Sequence, residues 1–364
     1  MVDGAESASR SIVKQAGPPP PPNGGLTAWL QVTGGFMIFF NTWGLINTFA
    51  VFQTYYESGA LFTESSSNIF WSAPSSYLRL LLLTGSFMAL LAQAICVVIG
   101  SGLLFTPTVS LLPTWFSSHI GLAVGIASSG SSLGGVIGPI GFPWAVRAVA
   151  FITLGTFIIP VIVMKQRIKS PKPRALIDWS AFTDAPYITF ALAVLIVFIG
   201  NSVLISYISY YPINKGFTNS SLGFYVVAIF NAVSIFGRIA PNAVSDRIGV
   251  FNTFHHSLLY ARVTNTAGII VGAVVTGFFS GVIVALPPDA YEEQGFGTRI
   301  GQGFAIGGLG LLIGGPSAGA ILGTTEPLNW TDFWVYGGVA IAVAGFILIA
   351  VRIMKAGPKL MVKA

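Results

Sequence analysis

Residues 187–211 read YITFALAVLIVFIGNSVLISYISYY, and none of their side chains is charged. A helix of about 20 apolar residues crosses the hydrocarbon core of a bilayer, so this stretch predicts a membrane span. Similar runs cover much of the remaining chain, at residues 28–52, 78–112, 119–141, 143–165, 221–244, 264–286, 298–323 and 331–354. They are continuous rather than alternating, which excludes a transmembrane barrel of strands. The sequence therefore predicts an all-α membrane protein with nine recognisable apolar runs.

The composition excludes most other classes of protein. Of the 364 residues, 53% are hydrophobic and 8% are charged, and the mean hydropathy is +0.77. A soluble domain carries about 25% charged residues, so a soluble enzyme, a nucleic-acid-binding module and a disordered scaffold are all excluded. The net charge of +6 comes from short basic clusters beside the apolar runs, which is typical of the flanks of membrane helices. The single cysteine, Cys96, excludes a disulfide framework.

Basic residues predict the orientation of the chain in the membrane. The main cluster separates four apolar runs from five and consists of Lys165, Arg167, Lys169, Lys172 and Arg174. The positive-inside rule makes it a cytoplasmic loop, and the basic residues near both termini indicate the same side. Five crossings after this loop would leave the C-terminus outside, so one crossing is hidden or missing in the second half. We expect its place at residues 251–262, an apolar stretch that is interrupted by two histidines and is too short to span a membrane.

These features predict two helical halves joined by one loop. The expected segments are a disordered cytoplasmic N-terminal tail (1–27), an N-terminal helical half (28–165), a cytoplasmic central loop (166–186), a C-terminal helical half (187–354) and a cytoplasmic C-terminal tail (355–364).

The motif with most information about function closes the run 221–244. Gly237-Arg238 is followed, after seven intervening residues, by Asp246-Arg247-Ile248-Gly249, a pattern that resembles the gating-loop signature of major facilitator transporters. The resemblance implies that Gly237, Asp246, Arg247 and Gly249 form a cytoplasmic gating loop. Arg238 lies inside the apolar run, and an intramembrane charge indicates a functional site. Its guanidinium is suited to binding a carboxylate.

Longer segments resemble the fungal monocarboxylate-transporter-like branch of that superfamily. The matching segments are Asn23-Gly24-Gly25-Leu26-Thr27-Ala28-Trp29, Trp115-Phe116 with Gly121 to Gly135, Gly141 to Arg147, Pro173 to Trp179, Gly297 to Gly301 and Gly323 to Trp330. The resemblance implies a major facilitator fold, no enzymatic activity, and alternating-access transport of small organic anions such as monocarboxylates. It also raises the possibility that the protein is a proton symporter.

The chain departs from the twelve-helix pattern of this family. No counterpart of the second helix and much of the third occurs between Trp71 and Leu91, the connection near residues 139–141 is clipped, and the ninth helix is reduced to a stub. The resemblance therefore predicts an incomplete fold with about nine to ten of twelve helices. Two hypotheses stay open at this point, a working transporter and a truncated membrane protein without transport activity.

The resemblance also predicts substrate-binding residues. Animal members use a first-helix Lys and an eighth-helix Asp–Arg pair; here those positions are Asn47, Ser234 and Arg238, so only the Arg is kept. The missing titratable groups weaken the case for proton coupling. Asn41 and Asn47 could bind substrate by hydrogen bonds, although contacts between helices explain such residues equally well.

The remaining predictions concern packing and partners. Gly130, Gly134, Gly135 and Gly138 form a small-residue face, which favours close helix packing at the interface where the halves rock. We expect no cofactor, no bound metal and no nucleic-acid partner. The expected partners are an organic anion, a proton if transport is coupled, and the lipid bilayer. We further expect a monomer in the plasma or vacuolar membrane.

Overall fold

The computed structural model describes residues 19–44, 101–134 (without 102 and 106), 142–167, 175–248 (without 176), 265–285 and 298–357 (without 324 and 326). Within these ranges every regular element is a helix. The elements are α1 (Leu26–Asn41), α2 (107–115), α3 (Ile120–Gly134), α4 (Phe142–Val163), a 3-10 helix (Trp179–Thr183), α5 (Ala185–Tyr207), α6 (Tyr210–Asn214), α7 (Ser220–Ile248), α8 (Thr266–Ala285), α9 (Thr298–Leu322) and α10 (Trp330–Ala356).

The long helices match the apolar runs of the sequence. Five helices in the described ranges, α5, α7, α8, α9 and α10, are long and apolar enough to cross a membrane. Two shorter apolar stretches, Ile120–Ser132 and Ala150–Val163, belong to the first half. Aliphatic and aromatic side chains point outward from several of these helices, as expected for surfaces that face lipid rather than water. The prediction of an all-α membrane protein is confirmed.

Short polar residues begin two of the second-half helices. The carboxylate of Asp184 accepts a hydrogen bond from the backbone N–H of Tyr187 at the start of α5. The side chain of Asn329 does the same for Asp332 at the start of α10. Each cap satisfies a backbone donor that has no partner within its helix, so the entry of each helix is defined by its own sequence.

Contacts between helices give their directions. Gln31 near the start of α1 bonds to Val163 at the end of α4, and Asn41 at the end of α1 bonds to Thr156. The two helices are therefore antiparallel. We call the end of the bundle that carries residues 164–167 and 177–184 the central-loop face, and both α1 and α5 begin there.

Helices α7 and α8 run parallel to each other. Thr266 at the start of α8 donates a hydrogen bond to the carbonyl of Phe217, just before α7, and Gly277 packs against Phe230 further along. Both helices thus start at the face opposite the central loop. The predicted crossing at residues 251–262 itself lies outside the described residues.

The two halves meet mainly along α3 and α7. These helices run antiparallel and share a close contact in which Gly125 lies against the carbonyl of Arg238. A single hydrophobic cluster continues from one half into the other, with buried members that include Phe39, Leu112 and Phe116 on one side and Val194, Phe198 and Ile300 on the other.

Candidate functional site

Arg238 lies in the middle of α7, between the two halves. Its side chain is buried, with a relative exposure of 3%. Nη1 donates a hydrogen bond of 2.9 Å to the carbonyl oxygen of Ser128 on α3, whereas Nε is buried and has no hydrogen-bond partner among the described residues. In the described part of the chain no carboxylate pairs with this guanidinium. A buried charge without a counter-charge is costly, so the arrangement suits an anion that arrives from outside the protein.

Ser234 lies one turn before Arg238 on α7 and faces the other half. Its hydroxyl is 2.5 Å from that of Ser132 on α3, and both side chains are buried. In this conformation Ser234, which was predicted to bind substrate, is therefore hydrogen-bonded to Ser132 of the opposite half. The Ser132–Ser234 and Arg238–Ser128 bonds lie side by side, and together we call them the polar seam.

Two further residues support the polar seam. The amide Nδ2 of Asn242 donates to the carbonyl oxygen of Arg238 at 2.5 Å. Gly125 lets α3 approach, because a Cβ at this position would come within 2.5 Å of the same carbonyl. Sequence reasoning did not place Gly125, Ser128 or Asn242 in the site. Ser128 lies four residues before Ser132, Gly125 lies three before Ser128, and Asn242 lies four after Arg238. This spacing places each of them on the same helix face as its predecessor and was the available signal.

Asn41, the other predicted binding residue within the described ranges, lies at the end of α1. It is buried, and its Oδ1 accepts a hydrogen bond of 2.9 Å from the hydroxyl of Thr156 on α4. Its Nδ2 is buried and has no hydrogen-bond partner in the ranges that the structure describes. The structure therefore places Asn41 at a contact within the first half. Asn47 lies outside the described residues.

The predicted gating loop is described only in part. Gly237 lies inside α7, where a Cβ would collide with the main chain of Phe278 on α8. Helix α7 continues through Asp246 and Arg247 to Ile248 rather than ending at the apolar run's last residue. The side chains of Asp246 and Arg247, and the whole of Gly249, lie outside the described residues.

Gly130 has its close contact within the first half. A Cβ at Gly130 would collide with the carbonyl of Phe36 on α1. The glycine at the contact between halves is instead Gly125, one turn earlier in α3. Gly134 is the last residue of α3, and Gly135 and Gly138 lie outside the described residues.

A second polar cluster, not predicted from the sequence, closes the central-loop face of the second half. Arg299 at the start of α9 forms ion pairs with Asp178 (2.9 Å) and Asp184 (2.8 Å). The amide of Gln302 donates to the carbonyl of Asp178 and accepts from its N–H. The hydroxyl of Tyr187 on α5 donates to the carbonyl of Arg299. These residues form the Arg299 clasp, which ties the central loop and α5 to α9.

Asp178 gives the Arg299 clasp a pH dependence. The hydrogen bond from Ser180, and after it the one from Arg299, lowers the pKa of the Asp178 carboxyl. A carboxyl with a depressed pKa in the folded protein stabilises it above its unfolded pKa of about 4, and this contribution is lost as the pH falls further.

We therefore expect the Asp178→Asn variant to melt at a lower temperature than the wild type at pH 7. The difference should shrink as the pH falls below about 4, because the wild-type carboxyl is then protonated as well. Thermal unfolding in detergent across a pH series measures this effect. A difference that stays constant from pH 7 to pH 3 would show that Asp178 does not act through its charge.

Hydrogen bonds of Asn23 and Arg167 also hold the first half together at the central-loop face. We call this set and the Arg299 clasp the two polar fastenings. Asn23 has a positive φ of 56°, and its Oδ1 accepts hydrogen bonds from the backbone N–H groups of Ser117 (2.6 Å) and Ser118 (2.9 Å). The guanidinium of Arg167 donates to the carbonyl oxygens of Thr114, Pro19 and Pro20. The proline-rich segment before α1 is thus held against the loop that joins α2 to α3.

Variants of Asn23 test two roles of this residue, the side-chain acceptor for backbone hydrogen bonds and the tolerance of a positive φ. Asn23→Asp should retain stability, because a carboxylate accepts the same backbone bonds and tolerates the left-handed backbone. Asn23→Ala should lose about 1–2 kcal/mol through the missing acceptor and the positive φ. Melting temperatures of the purified variants provide the measurement, and equal values for Asp and Ala would contradict the assigned role.

The comparisons with known proteins agree with this architecture. The sequence profile of the Major Facilitator Superfamily matches residues 63–263. The "MFS-type transporter dbaD" of Emericella nidulans is 49% identical over 382 residues, which covers 90% of this chain and 86% of the relative. The "Aspyridones efflux protein apdF" of the same fungus is 33% identical over 359 residues, covering 83% of this chain and 73% of the relative.

A solved structure has the same fold. The major facilitator transporter FucP in its outward conformation superposes with a TM-score of 0.59 at 10% identity, and the match covers 88% of this chain and 98% of FucP. The chain therefore belongs to the Major Facilitator Superfamily. It is an integral, multi-pass membrane protein of a family of transporters, which are not enzymes.

The incomplete fold predicted from the sequence is consistent with these alignments. The match to dbaD extends over 382 positions, more than the 364 residues of the whole chain. The relative must therefore contain residues that have no counterpart here.

Proposed function

We propose that this protein moves small organic anions, carboxylic acids in the first instance, across a membrane by alternating access. The observation that carries the proposal is Arg238, a buried guanidinium between the halves. Among the described residues its Nε has no hydrogen-bond partner and its one acceptor is the neutral carbonyl of Ser128. A carboxylate offers two oxygens to such a group and forms stronger, charge-assisted hydrogen bonds than a carbonyl does.

The polar seam suggests how binding is linked to movement. Its two hydrogen bonds, Ser132–Ser234 and Arg238–Ser128, hold α3 of one half against α7 of the other. A carboxylate that takes the guanidinium removes one of them, so the bound and seam-closed arrangements compete. In this proposal α3 and α7 separate and rejoin as the halves rock around the site.

Two features support export of a metabolite. The relative apdF is named an aspyridones efflux protein, and the two polar fastenings at the central-loop face each lie within one half, which leaves the halves free to move as units.

We propose that the central-loop face is cytoplasmic, that the protein is a monomer, and that it lies in the plasma or vacuolar membrane. Proton coupling would require a titratable group other than those at positions 47 and 234, which are Asn and Ser here.

A second candidate is a membrane protein derived from such a transporter but without transport activity. The observation that favours this candidate is that the relative dbaD contains residues with no counterpart in this chain. Missing helices would remove walls from the substrate cavity and leave helix faces without their partners.

Reconstitution distinguishes the two candidates. The purified full chain is placed in proteoliposomes and supplied with a panel of labelled organic acids at pH 5.5 and pH 7.5, with protein-free liposomes as control. We expect saturable accumulation of at least one acid, and a dependence on pH would indicate proton coupling. A folded, monodisperse protein that moves none of the acids faster than the control would overturn the transport proposal and favour the inactive protein.

A further inference from the structure

Four aromatic rings meet where the halves face each other, and we call them the inter-half ring cluster. Trp43, two residues beyond α1, and Phe105, just before α2, come from the first half; Phe198 on α5 and Phe304 on α9 come from the second. Ring centroids are separated by 5.8 Å for Trp43–Phe105, 6.1 Å for Trp43–Phe198, 6.4 Å for Trp43–Phe304 and 4.8 Å for Phe105–Phe304. All four pairs pack edge to face, the arrangement that aromatic rings favour.

The cluster is not uniformly buried. Phe105 and Phe198 are buried in the core that the halves share, whereas Trp43 and Phe304 are only partly buried. The two accessible rings lie on opposite halves and contact each other. Any separation of the halves therefore breaks the Trp43–Phe198, Trp43–Phe304 and Phe105–Phe304 contacts and exposes aromatic surface.

Phe198, one ring of the cluster, lies at about the same depth as Arg238. Asn201 on α5 accepts a hydrogen bond from Ser280 on α8, and the next residue of α8, Gly281, packs against Ser234 and Arg238 of α7. Helix α5 runs away from the central-loop face, and α7 runs toward it. Phe198 is three residues before Asn201, and Arg238 is four after Ser234, so each is displaced about 5 Å toward that face.

From this juxtaposition we propose that the substrate is an organic acid with an aromatic or other flat, apolar body. The inter-half ring cluster would hold that body while Arg238 holds the carboxylate. This inference rests on the proposed function and names its substrate class. The physical reason is that the substrate replaces contacts that are broken when the halves separate. Its flat apolar group takes the place of the lost ring contacts, and its carboxylate takes the place of the Ser128 carbonyl as the partner of Arg238.

The test compares two acids of equal charge, benzoate and butyrate, in proteoliposomes that contain the full chain. The wild type should have a lower KM for benzoate than for butyrate. Trp43→Leu and Phe304→Leu keep apolar bulk but remove a ring, and each should raise the KM for benzoate about tenfold, as expected from the loss of aromatic pairing. The KM for butyrate should change less than twofold.

Further variants make the outcomes distinguishable. Trp43→Phe should restore most of the benzoate preference, and Phe346→Ala, at a site on α10 that is 73% exposed, should leave both acids unaffected. Transport of neither acid by the wild type would count against the proposed function itself. Transport of both, with equal KM values or with ring variants that affect both acids alike, would overturn only the inference about substrate class.

Discussion

Arg238→Ala is expected to reduce organic-acid transport by about two orders of magnitude while the protein still reaches the membrane. Hydrogen bonds to a charged group contribute about 1.5–3 kcal/mol each, and every 1.4 kcal/mol changes an equilibrium about tenfold. The variant removes the one buried guanidinium that lies between the halves in the described residues. It also removes a buried charge that pairs with no carboxylate in the described part of the chain, so we expect folding to be retained.

Two comparisons sharpen this result. Arg238→Lys keeps the charge but not the planar fork of donors, and should retain only part of the transport activity. Arg352→Ala removes another buried arginine, near the end of α10 and away from the polar seam, and should retain transport. Initial rates, normalised to the amount of reconstituted protein, provide the measurement. Wild-type kinetics for Arg238→Ala would rule out Arg238 as the anion site.

Gly237→Ala is expected to destabilise the protein strongly, by about 3 kcal/mol or more. A methyl group there would collide with the carbonyl of Phe278, which belongs to the main chain of α8 and cannot rotate away. The neighbouring glycines at this interface, Gly277 and Gly281, face the main chain of α7 in the same way. The two parallel helices would have to move apart over several turns.

The matched control is Gly338→Ala on α10, where nothing lies within 4 Å of the added Cβ. Alanine has a higher helix propensity than glycine by about 1 kcal/mol, so this variant should be neutral or slightly stabilised. Melting temperature and monodispersity in detergent measure both variants. Similar melting temperatures for the two would mean that α7 and α8 are not in close contact at Gly237.

The class of protein, and the presence of a charge at Arg238 inside an apolar segment, could be predicted from the sequence. Continuous apolar runs can satisfy their backbone groups in lipid only as helices, and a charge inside such a run stands out against its neighbours. The motif around Asp246 and Arg247 indicated the superfamily, to which the chain belongs. The likeness to monocarboxylate carriers remains a proposal, because the named relatives include an efflux protein for a metabolite.

The partners of these residues could not be predicted in the same way. Ser234 was expected to contact substrate, yet its hydroxyl lies against Ser132, more than a hundred residues away. Arg299 was noticed only as part of a motif, although it joins two carboxylates of the central loop. The sequence carries no direct signal for such pairs, since membrane helices of similar apolar composition could pack in many orders.

The sequence by itself thus determined that the chain is a helical membrane protein of the major facilitator type and that Arg238 is a buried charge. These properties follow from local composition, which decides whether a segment enters the bilayer. Only the tertiary structure decided that Arg238 donates to the carbonyl of Ser128 and that Trp43 meets Phe198. Such contacts depend on which helix faces meet and at what register. Close approach at glycines such as Gly125 and Gly237 sets that register.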